Sequence, residues 1–366
     1  MFGLLSLCLS LSTNPVKSNR MRCVVSPLSS GSSHQPKIAV AFYGISRNLR
    51  LTMPLFEKYV FDVLDKHGIQ SDVFWHTVTK PSISNIHTME RNQELDRFDV
   101  QIMNPCVFEL ADENLVKELE FDHFRRSRFG GGDNNNNENN NNKNKNKKSF
   151  DPFHKHFHDN YESLKNMLCA FHSQHRLHQM ISSRMQTMNM SYDAVLLLRP
   201  DTGVVFQDID LPLYLSRIQS GEMKGIWTPD FQRWRGLNDR FAFGDYESMS
   251  LYLQRGERYK QRADKLTEGS GEKFLKKYLR RHQIPLHHSS VRVMRIRAGG
   301  VVARKDCLDE DIVREHGEQL KRCVVWVRAG ASGAGADATV ATGAGGAGAV
   351  ADVAVDECRI IDIREC

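Results

Sequence analysis

The stretch from Tyr192 to Phe206, YDAVLLLRPDTGVVF, decides the predicted fold. Its apolar run, Ala194 to Leu198, is long enough to form a strand that is buried on both faces, as in a parallel sheet. Pro200 cannot donate a hydrogen bond to a neighbouring strand, so the strand is predicted to end before it. Arg199 and Asp201 therefore stand at the end of a central strand, where loss of solvent is costly for charged groups. The pair is either a structural ion pair or part of a site.

Strands and helices alternate on both sides of this stretch. Lys37–Tyr43 and Asp72–Val78 are predicted strands, with an amphipathic helix between them. Such alternation predicts an α/β fold with a mostly parallel central sheet flanked by helices, in a single Rossmann-like domain. Ligands bind such sheets beyond the carboxyl ends of the strands, which makes the loops after Tyr43, Leu198 and Phe243 the candidate site loops.

Composition divides the chain into one domain, residues 37–328, and three segments of unusual composition. Residues 1–36 hold no acidic side chain and are rich in serine, which predicts targeting to the secretory pathway, such as the Golgi, or to an organelle. The apolar run at 2–11 is too short to predict a transmembrane segment. Residues 130–148 are an Asn-rich insertion that is predicted to be a disordered loop, and residues 329–366 are an Ala/Gly-rich low-complexity tail.

The positive net charge of +6 comes from residues 254–328, which hold 19 Lys and Arg against 10 Asp and Glu. Such an excess is either a solvated helix surface or a surface for an anionic partner such as a phosphate or a nucleotide. No nucleic-acid-binding motif accompanies it, so nucleic acid is not a predicted partner. The eight cysteines show no CxxC or zinc-finger spacing, and we interpret them mostly as free thiols. Their number alone also allows disulfides in a secretory compartment.

The first candidate loop is YGISRNLR, which follows the first strand. Gly44 allows a sharp turn, and Arg47 and Asn48 stand at the carboxyl end of the strand. The guanidinium of Arg47 suits bidentate contact with a phosphate. The absence of a GxGxxG motif argues against a Rossmann dinucleotide site. The alternative is a turn with a surface arginine.

The second candidate is the Arg199-Pro200-Asp201 turn. Asp201 suits a divalent metal, Mn²⁺ or Mg²⁺, that bridges the diphosphate of a substrate. Arg199 suits direct contact with the same phosphates, without a metal. Under the alternative the two side chains form a structural ion pair, which is often not a net stabiliser when buried.

The third candidate is LNDRFAFG, residues 237–244, which follows Trp234. Asn238, Asp239 and Arg240 form a polar triplet beside aromatic residues, a combination that suits sugars and nucleobases. Asp239 is the predicted general base for a sugar hydroxyl, or a metal ligand. The alternative is a tight turn in which Asp239 caps local backbone groups.

Three motifs together, YDAVLLLRPD, IWTPDF and GLNDRFAFGDYESMSLY, resemble uncharacterised glycosyltransferase-like proteins with the GT-A (nucleotide-diphospho-sugar transferase) fold. VRVMRIRAGG is similar to the closing strand of that group, and the resemblance covers residues 37–303 apart from the Asn-rich insertion. It implies transfer of a sugar from a nucleotide-diphosphate donor to the hydroxyl of a glycan or another acceptor. Asp201 would match the last acid of the family's Asp-x-Asp metal motif, and Arg199 replaces the first. Asp239 would match the acid near the acceptor.

The Arg-x-Asp motif leaves the metal requirement open, and the basic residues of 254–328 are expected to hold the leaving diphosphate. The leading hypothesis is therefore a glycosyltransferase. The alternative is a non-catalytic nucleotide- or glycan-binding protein on the same fold, because a fold alone does not decide function.

Overall fold

The structure, a computed structural model, describes residues 23, 35–85, 90–95, 99–129, 161–205, 209–261, 270–307, 309–327 and 357–360. The strands are β1 (Lys37–Tyr43), β2 (Gln70–Thr79), β3 (Ser82–Asn85), β4 (Glu90–Glu94), β5 (Val107–Asp112), β6 (Ala194–Leu198), β7 (Thr202–Val205), β8 (Ile226–Pro229), β9 (Phe241–Asp245), β10 (Leu286–Ser289), β11 (Arg292–Arg295), β12 (Val301–Val302), β13 (Val324–Val327) and β14 (Glu357–Ile360). The helices are α1 (Leu49–Phe56), α2 (Asp62–Lys66), α3 (Asp99–Met103), α4 (Glu113–Phe129), α5 (Glu162–Met188), α6 (Leu211–Gln219), α7 (Tyr246–Gln261), α8 (Gly271–Arg281), α9 (Arg304–Cys307) and α10 (Glu310–Cys323). A π-helical turn, Glu57–Phe61, joins α1 to α2.

Seven strands form the central sheet, in the order β10-β8-β9-β6-β1-β2-β5. Every neighbouring pair is parallel except the two that β9 makes with β6 and β8. Parallel neighbours need crossover connections, and helices supply them here. The predicted α/β fold with a mostly parallel central sheet flanked by helices is therefore confirmed.

Residues of β1 alternate between two hydrophobic cores, one on each face of the sheet. Ile38, Val40 and Phe42 pack in one core with α1 and α6, whereas Ala39 and Ala41 pack in the other with α5, α7 and α8. All five residues of β6 are also buried. Because helices cover both faces, these strands are continuous apolar runs, and charged side chains are left to the strand ends.

A smaller antiparallel pair extends the chain beyond the end of β6. β7 begins directly after Asp201 and pairs with β11, with Thr202 opposite Arg295. The N–H group of Ile296 then donates to the carbonyl of Asp201 at 2.8 Å. This pairing places Arg297 beside Asp201, although the two residues are 96 positions apart in the sequence.

Disulfides contradict the expectation that most cysteines are free thiols. Cys23 forms a disulfide with Cys106, and Cys307 forms one with Cys358. Cys323 is also in a disulfide. Among the described residues, Cys169 is a free cysteine, and it is buried. The paired cysteines are 83 and 51 positions apart, so their spacing carried no recognisable motif and only the fold brings them together.

The predicted terminal segments and the Asn-rich insertion lie mostly outside the described residues. Within the predicted tail, Glu357–Ile360 forms β14, which pairs with β12 and β13. The disulfide between Cys307 and Cys358 joins this strand to α9. No helix in the described part of the chain is both long enough and apolar enough to cross a membrane. The domain limits at residues 37 and 328 and the targeting role of residues 1–36 stay predictions.

Candidate functional site

A cavity of about 500 Å³ opens at the carboxyl ends of β1 and β2. It is lined by Tyr43 and Gly44 after β1, by Val78 and Lys80 near the end of β2, and by Arg199 after β6. Its volume suits a small molecule, and its position is the one where parallel sheets bind ligands. We take this cavity as the candidate functional site.

Gly44 turns the chain away from β1 at the edge of the cavity. Its φ angle is 90°, which favours glycine, and its N–H group donates to the carbonyl of His76 at 3.2 Å. The turn expected at this glycine is therefore present. Asn48 lies at the N-terminus of α1, where its side chain makes no capping hydrogen bond and its carbonyl accepts from the N–H group of Thr52 at 3.2 Å.

The turn after β6 holds Arg199 and Asp201 face to face. Nε and Nη2 of Arg199 donate to the two carboxylate oxygens of Asp201, both at 2.9 Å. The N–H group of Thr202 donates to the carbonyl of Arg199 at 3.1 Å and closes the turn. The side chain of Asp201 is 1% exposed, whereas that of Arg199 is 29% exposed and lines the cavity. The two side chains thus form a bidentate ion pair whose cation faces the cavity.

Two further guanidinium groups reach the same carboxylate. Nη1 of Arg297 donates to Oδ2 of Asp201 at 2.8 Å, and Nε of Arg47 lies 3.3 Å from that oxygen. Arg47 also forms an ion pair with Glu90. Both of these arginines line the cavity, as Arg199 does. Three guanidinium groups therefore face two carboxylates, and the cluster leaves a positive charge in the cavity wall.

Burial and charge act against each other in this cluster. Burial would raise the pKa of Asp201, but the charges of the three arginines, that of Arg199 foremost, outweigh it and hold this pKa well below its usual range. Burial lowers the pKa of Arg297, and the charge of Asp201 offsets only part of that effect. Arg199, Asp201 and Arg297 are nevertheless charged at neutral pH. Nε of Arg297 is buried and has no hydrogen-bond partner in the described part of the chain, so the wall holds an unused donor.

Asp201 is the metal ligand predicted from the sequence, but its surroundings do not suit a divalent cation. Both of its carboxylate oxygens already accept hydrogen bonds from guanidinium groups, which a metal would have to displace. Among the residues that the structure describes, no group of three His, Cys, Asp or Glu side chains is arranged to hold a metal ion. Divalent cations need several oxygen ligands. A requirement for Mn²⁺ or Mg²⁺ stays a prediction without support from this donor set.

Asp239 is not among the residues that line the cavity, but it contacts Tyr43, which does line it. The hydroxyl of Tyr43 donates to the main-chain carbonyl of Asp239 at 2.7 Å. Burial, and after it the charge of Asp239, raise the pKa of Tyr43. The side chain of Asp239 is 27% exposed, so a carboxylate is accessible beside the arginine cluster.

Arg255 is buried next to Asp239. Its guanidinium group packs over the rings of Tyr252 and Phe171, at 4.1 and 4.9 Å from their centroids. Nε and Nη2 of Arg255 have no hydrogen-bond partner among the described residues, and Nη2 lies 4.0 Å from Oδ2 of Asp239. A buried cation requires a compensating charge. The carboxylate of Asp239 supplies this charge.

The other residues predicted in this loop lie apart from the cavity. Asn238 is buried and donates to the carbonyl of Phe231 at 3.1 Å, and its side-chain oxygen accepts from the N–H group of Arg240 at 3.1 Å. Arg240 is buried and lies 3.8 Å from Asp306. Trp234 is 44% exposed at the surface. Asn238 and Arg240 thus maintain the shape of the loop, and contact of these three residues with a substrate stays a prediction.

Several lining residues were not predicted from the sequence. Arg297 belongs to VRVMRIRAGG, but only the pairing of β11 with β7 shows that this arginine, and not Arg295, reaches Asp201. Lys80 and Lys117 also line the cavity, and both form ion pairs with Glu113, at 3.1 and 3.4 Å. No motif marked these two lysines, because their relation depends on the packing of α4 beside β2.

The basic residues of 254–328 do not form one patch. Their buried or half-buried ion pairs are Lys260 with Glu120 and Glu257, Arg292 with Asp230 and Glu315, and Arg295 with Asp306. Of the described residues in this segment, Arg297 lines the cavity. The expected phosphate contact by the segment therefore rests on this arginine, and the remaining cations face other surfaces or internal acids.

No known protein family matches this chain, and no curated protein is significantly similar to it in sequence. Among solved structures, the chain is similar to mouse xyloside xylosyltransferase 1 in its apo form, with 9% sequence identity and a TM-score of 0.32. The similarity covers 70% of this chain and 85% of that protein. A TM-score of this size carries no argument about function, so the function proposed below depends on the residues of the site.

Proposed function

We propose that this protein is a glycosyltransferase that moves a sugar from a nucleotide-diphosphate sugar to an acceptor hydroxyl. The observation that carries the proposal is the convergence of Arg47, Arg199 and Arg297 on one wall of the cavity. A diphosphate is bound well by fixed cations, and guanidinium groups match the geometry of phosphate oxygens. The resemblance of the loop motifs to glycosyltransferase-like proteins supports the same reaction.

Each residue has one task in the proposed reaction. Arg199 and Arg297 bind the donor diphosphate and stabilise the charge that grows on it, as its bond to the sugar breaks and it leaves with the electron pair. Asp239 accepts the proton of the acceptor hydroxyl, whose oxygen forms the new bond to the sugar carbon. Arg255 holds the carboxylate of Asp239 in position before transfer. No step is assigned to a metal, because the oxygens of Asp201 are occupied by arginines.

Thermal unfolding with a panel of nucleotide-diphosphate sugars tests donor binding. At least one donor is expected to raise the Tm in EDTA, because arginines supply the positive charge of the site. Absence of a rise with every donor would contradict the proposal. A rise that requires Mn²⁺ or Mg²⁺ would instead restore Asp201 as a metal ligand.

The variant Asp239→Asn tests catalysis separately from binding. The stabilising donor is expected to bind as before, while release of nucleotide diphosphate from it falls by about a hundredfold or more, the usual contribution of a general base. Glu118→Gln, at an exposed carboxylate of α4, is the control and is expected to change neither quantity. Release at the wild-type rate by Asp239→Asn would show that Asp239 is not the base.

The alternative function is a non-catalytic protein that binds a nucleotide or a glycan. The 4.0 Å approach of Arg255 to Asp239 favours it, because a carboxylate that balances a buried cation is less available as a base. This alternative predicts donor binding without release of nucleotide diphosphate in the wild-type protein.

We also propose that the protein resides in an oxidising compartment, such as the secretory pathway. Disulfides persist there and are rare in the cytosol, and the pairs Cys23–Cys106 and Cys307–Cys358 form disulfides here. Alkylation with and without reduction, followed by mass spectrometry of the protein from its own cells, tests this. Alkylation of Cys106 and Cys307 without prior reduction would contradict it.

A further inference from the structure

Three consecutive exposed residues, Arg233, Trp234 and Arg235, stand on the surface in the loop between β8 and β9. The backbone here is unusual, because φ is 47° at Trp234 and 65° at Arg235, in the left-handed region that favours glycine. Gln232 has a φ of 46° as well. Strained backbone of this kind persists only where the surroundings enforce it.

Contacts with the N-terminus of α8 enforce this conformation. A Cβ atom at Gly236 would lie 2.1 Å from the carbonyl carbon of Glu272, so the loop touches α8 with its backbone. The N–H group of Leu237 donates to the carbonyl of Glu272 at 3.2 Å, and that of Gly236 to the carbonyl of Arg233 at 2.6 Å. The tryptophan and its two arginines are therefore held outward by a fixed loop.

The same surface carries a strong excess of positive charge. Residues 230–236 and 270–288 together hold seven Lys and Arg but only two acids, Asp230 and Glu272. Asp230 is engaged by Arg292 at 2.6 Å. We call the surface formed by Arg233, Trp234, Arg235, Lys273, Lys276 and Lys277 the basic rim. The loop part and the α8 part of the rim adjoin at His288. Nη1 of Arg233 lies 3.4 Å from the Nε2 atom of His288. Burial lowers the pKa of His288, and the charges of Arg233 and Lys276 lower it further.

The basic rim ends beside the proposed base. Asp239 lies three residues after Gly236 in the sequence. Its Oδ2 atom would lie 3.9 Å from a Cβ atom placed at Gly271, the first residue of α8. The neighbouring Met167 sulfur would lie 3.3 Å from the same Cβ position, so α5, α8 and Asp239 meet here. A molecule on the rim can thus present a hydroxyl to Asp239 while the donor occupies the cavity.

We infer that the acceptor is an anionic carbohydrate, with carboxylate or sulfate groups, that docks on the basic rim. This inference rests on the proposed function. The indole of Trp234 offers an apolar surface for a sugar ring, and Arg233 and Arg235 on either side in sequence pair with its acidic groups. The lysines of α8 add attraction that acts over a longer distance and weakens with salt.

Binding of dextran sulfate and of uncharged dextran of the same chain length tests the inference at physiological ionic strength. Wild-type protein is expected to bind the sulfated polymer and not the neutral one. The double variant Arg233→Glu, Arg235→Glu is expected to bind it about tenfold more weakly or worse, since like charges then oppose docking. Trp234→Ala is expected to weaken binding without any change of charge. Equal binding of the two polymers would overturn the inference.

The matched control is Lys58→Glu, Lys66→Glu, a double charge reversal at exposed positions in the α1–α2 region. It alters the net charge equally and is expected to leave dextran sulfate binding near the wild-type value. An equal loss of dextran sulfate binding in this control would show that binding depends only on overall charge, and would overturn the inference. Tighter binding of single-stranded RNA than of dextran sulfate through the rim arginines would overturn it too.

The donor screen distinguishes this failure from failure of the proposed function. If a nucleotide-diphosphate sugar raises the Tm but the rim does not discriminate between the polymers, the inference is wrong and the transferase proposal stands. If the rim discriminates but no donor binds, the transferase proposal is wrong. Both rim variants are expected to retain the wild-type Tm and donor response, because Arg233, Trp234 and Arg235 are exposed.

Discussion

Two buried aspartates in this protein are held by arginines in a similar way. Asp201 accepts two hydrogen bonds from Arg199, both at 2.9 Å, and a third from Arg297 at 2.8 Å. Asp306 accepts two from the guanidinium of Arg295, at 2.9 and 2.7 Å. Both carboxylates are at most 1% exposed. Charge pairing alone does not distinguish one from the other.

The difference lies in what the arginines face. Arg199 and Arg297 line the cavity, whereas Arg240 and Arg295, the partners of Asp306, are not among its lining residues. Asp306 also accepts from the main-chain N–H group of Arg295 at 2.7 Å, which ties the carboxylate to β11. An arginine–aspartate cluster thus becomes a candidate anion site only where a cavity exposes its cations, and otherwise it joins elements of the fold.

The largest expected effect comes from neutralising each aspartate. Asp201→Asn and Asp306→Asn are both expected to lower the free energy of unfolding by about 3–5 kcal/mol, because each leaves buried guanidinium groups uncompensated. Chemical denaturation measures these losses. Inorganic pyrophosphate is then expected to raise the Tm of Asp201→Asn more than that of the wild type, since it replaces part of the lost negative charge.

Asp306→Asn is the control for this rescue. Its arginines do not line the candidate-site cavity, so pyrophosphate is expected to raise its Tm no more than it raises that of the wild-type protein. Equal rescue of the two variants would show that the anion acts on the protein generally and would remove the distinction between the clusters. If either variant does not fold, Asp201→Glu and Asp306→Glu, which keep the charge and displace it, allow the same comparison.

Replacing one arginine in each cluster gives the next largest effect. Arg297→Met is expected to weaken pyrophosphate binding by about 1.5–3 kcal/mol, the contribution of a hydrogen bond to a charged group, as measured by calorimetry. Arg295→Met is expected to leave this affinity unchanged. The expected losses of stability have the opposite order, with the larger loss in Arg295→Met. Without Arg297, Asp201 retains two arginines, whereas without Arg295, Asp306 retains only the guanidinium of Arg240, at 3.8 Å. Similar losses of pyrophosphate affinity in both variants would contradict the assignment of Arg297, and not Arg295, to the anion site.

Most of the fold could be predicted because its signals are local. The apolar runs of β1 and β6 and the helices between strands follow from residue periodicity, and both strands are found where they were expected. The cysteine pairs could not be predicted, because residues 83 and 51 positions apart meet only in the folded chain. For the same reason nothing in the sequence showed that Glu357–Ile360 completes a sheet.

The site could be predicted only in part, and the reason is again the range of the interactions. Arg199 and Asp201 are two residues apart, so their pairing was one of two stated alternatives. Arg297 adopts its place through the register of β11 against β7, which no local pattern encodes. Asn238 and Asp239 are adjacent and both polar, yet Asn238 is buried in the loop framework, whereas the side chain of Asp239 is partly exposed. Sequence identifies polar groups at strand ends, and packing decides which of them face the cavity.

Acid titration gives the smallest expected effect and tests what the two clusters share. Burial acts to raise the pKa of Asp306 as it does for Asp201, but arginines outweigh it and leave both pKa values below their usual range. A depressed folded-state pKa stabilises the protein above the unfolded value, near 3.9, and this stabilisation is lost as pH falls. Between pH 5 and pH 3 the wild type is therefore expected to lose about 1 kcal/mol more stability than either Asn variant. Urea unfolding at these two pH values measures the difference. An equal difference for the two variants, together with rescue by pyrophosphate in Asp201→Asn alone, would show that access to the cavity separates the two clusters. Unequal acid responses would instead show that the charge pairing of the two carboxylates already differs.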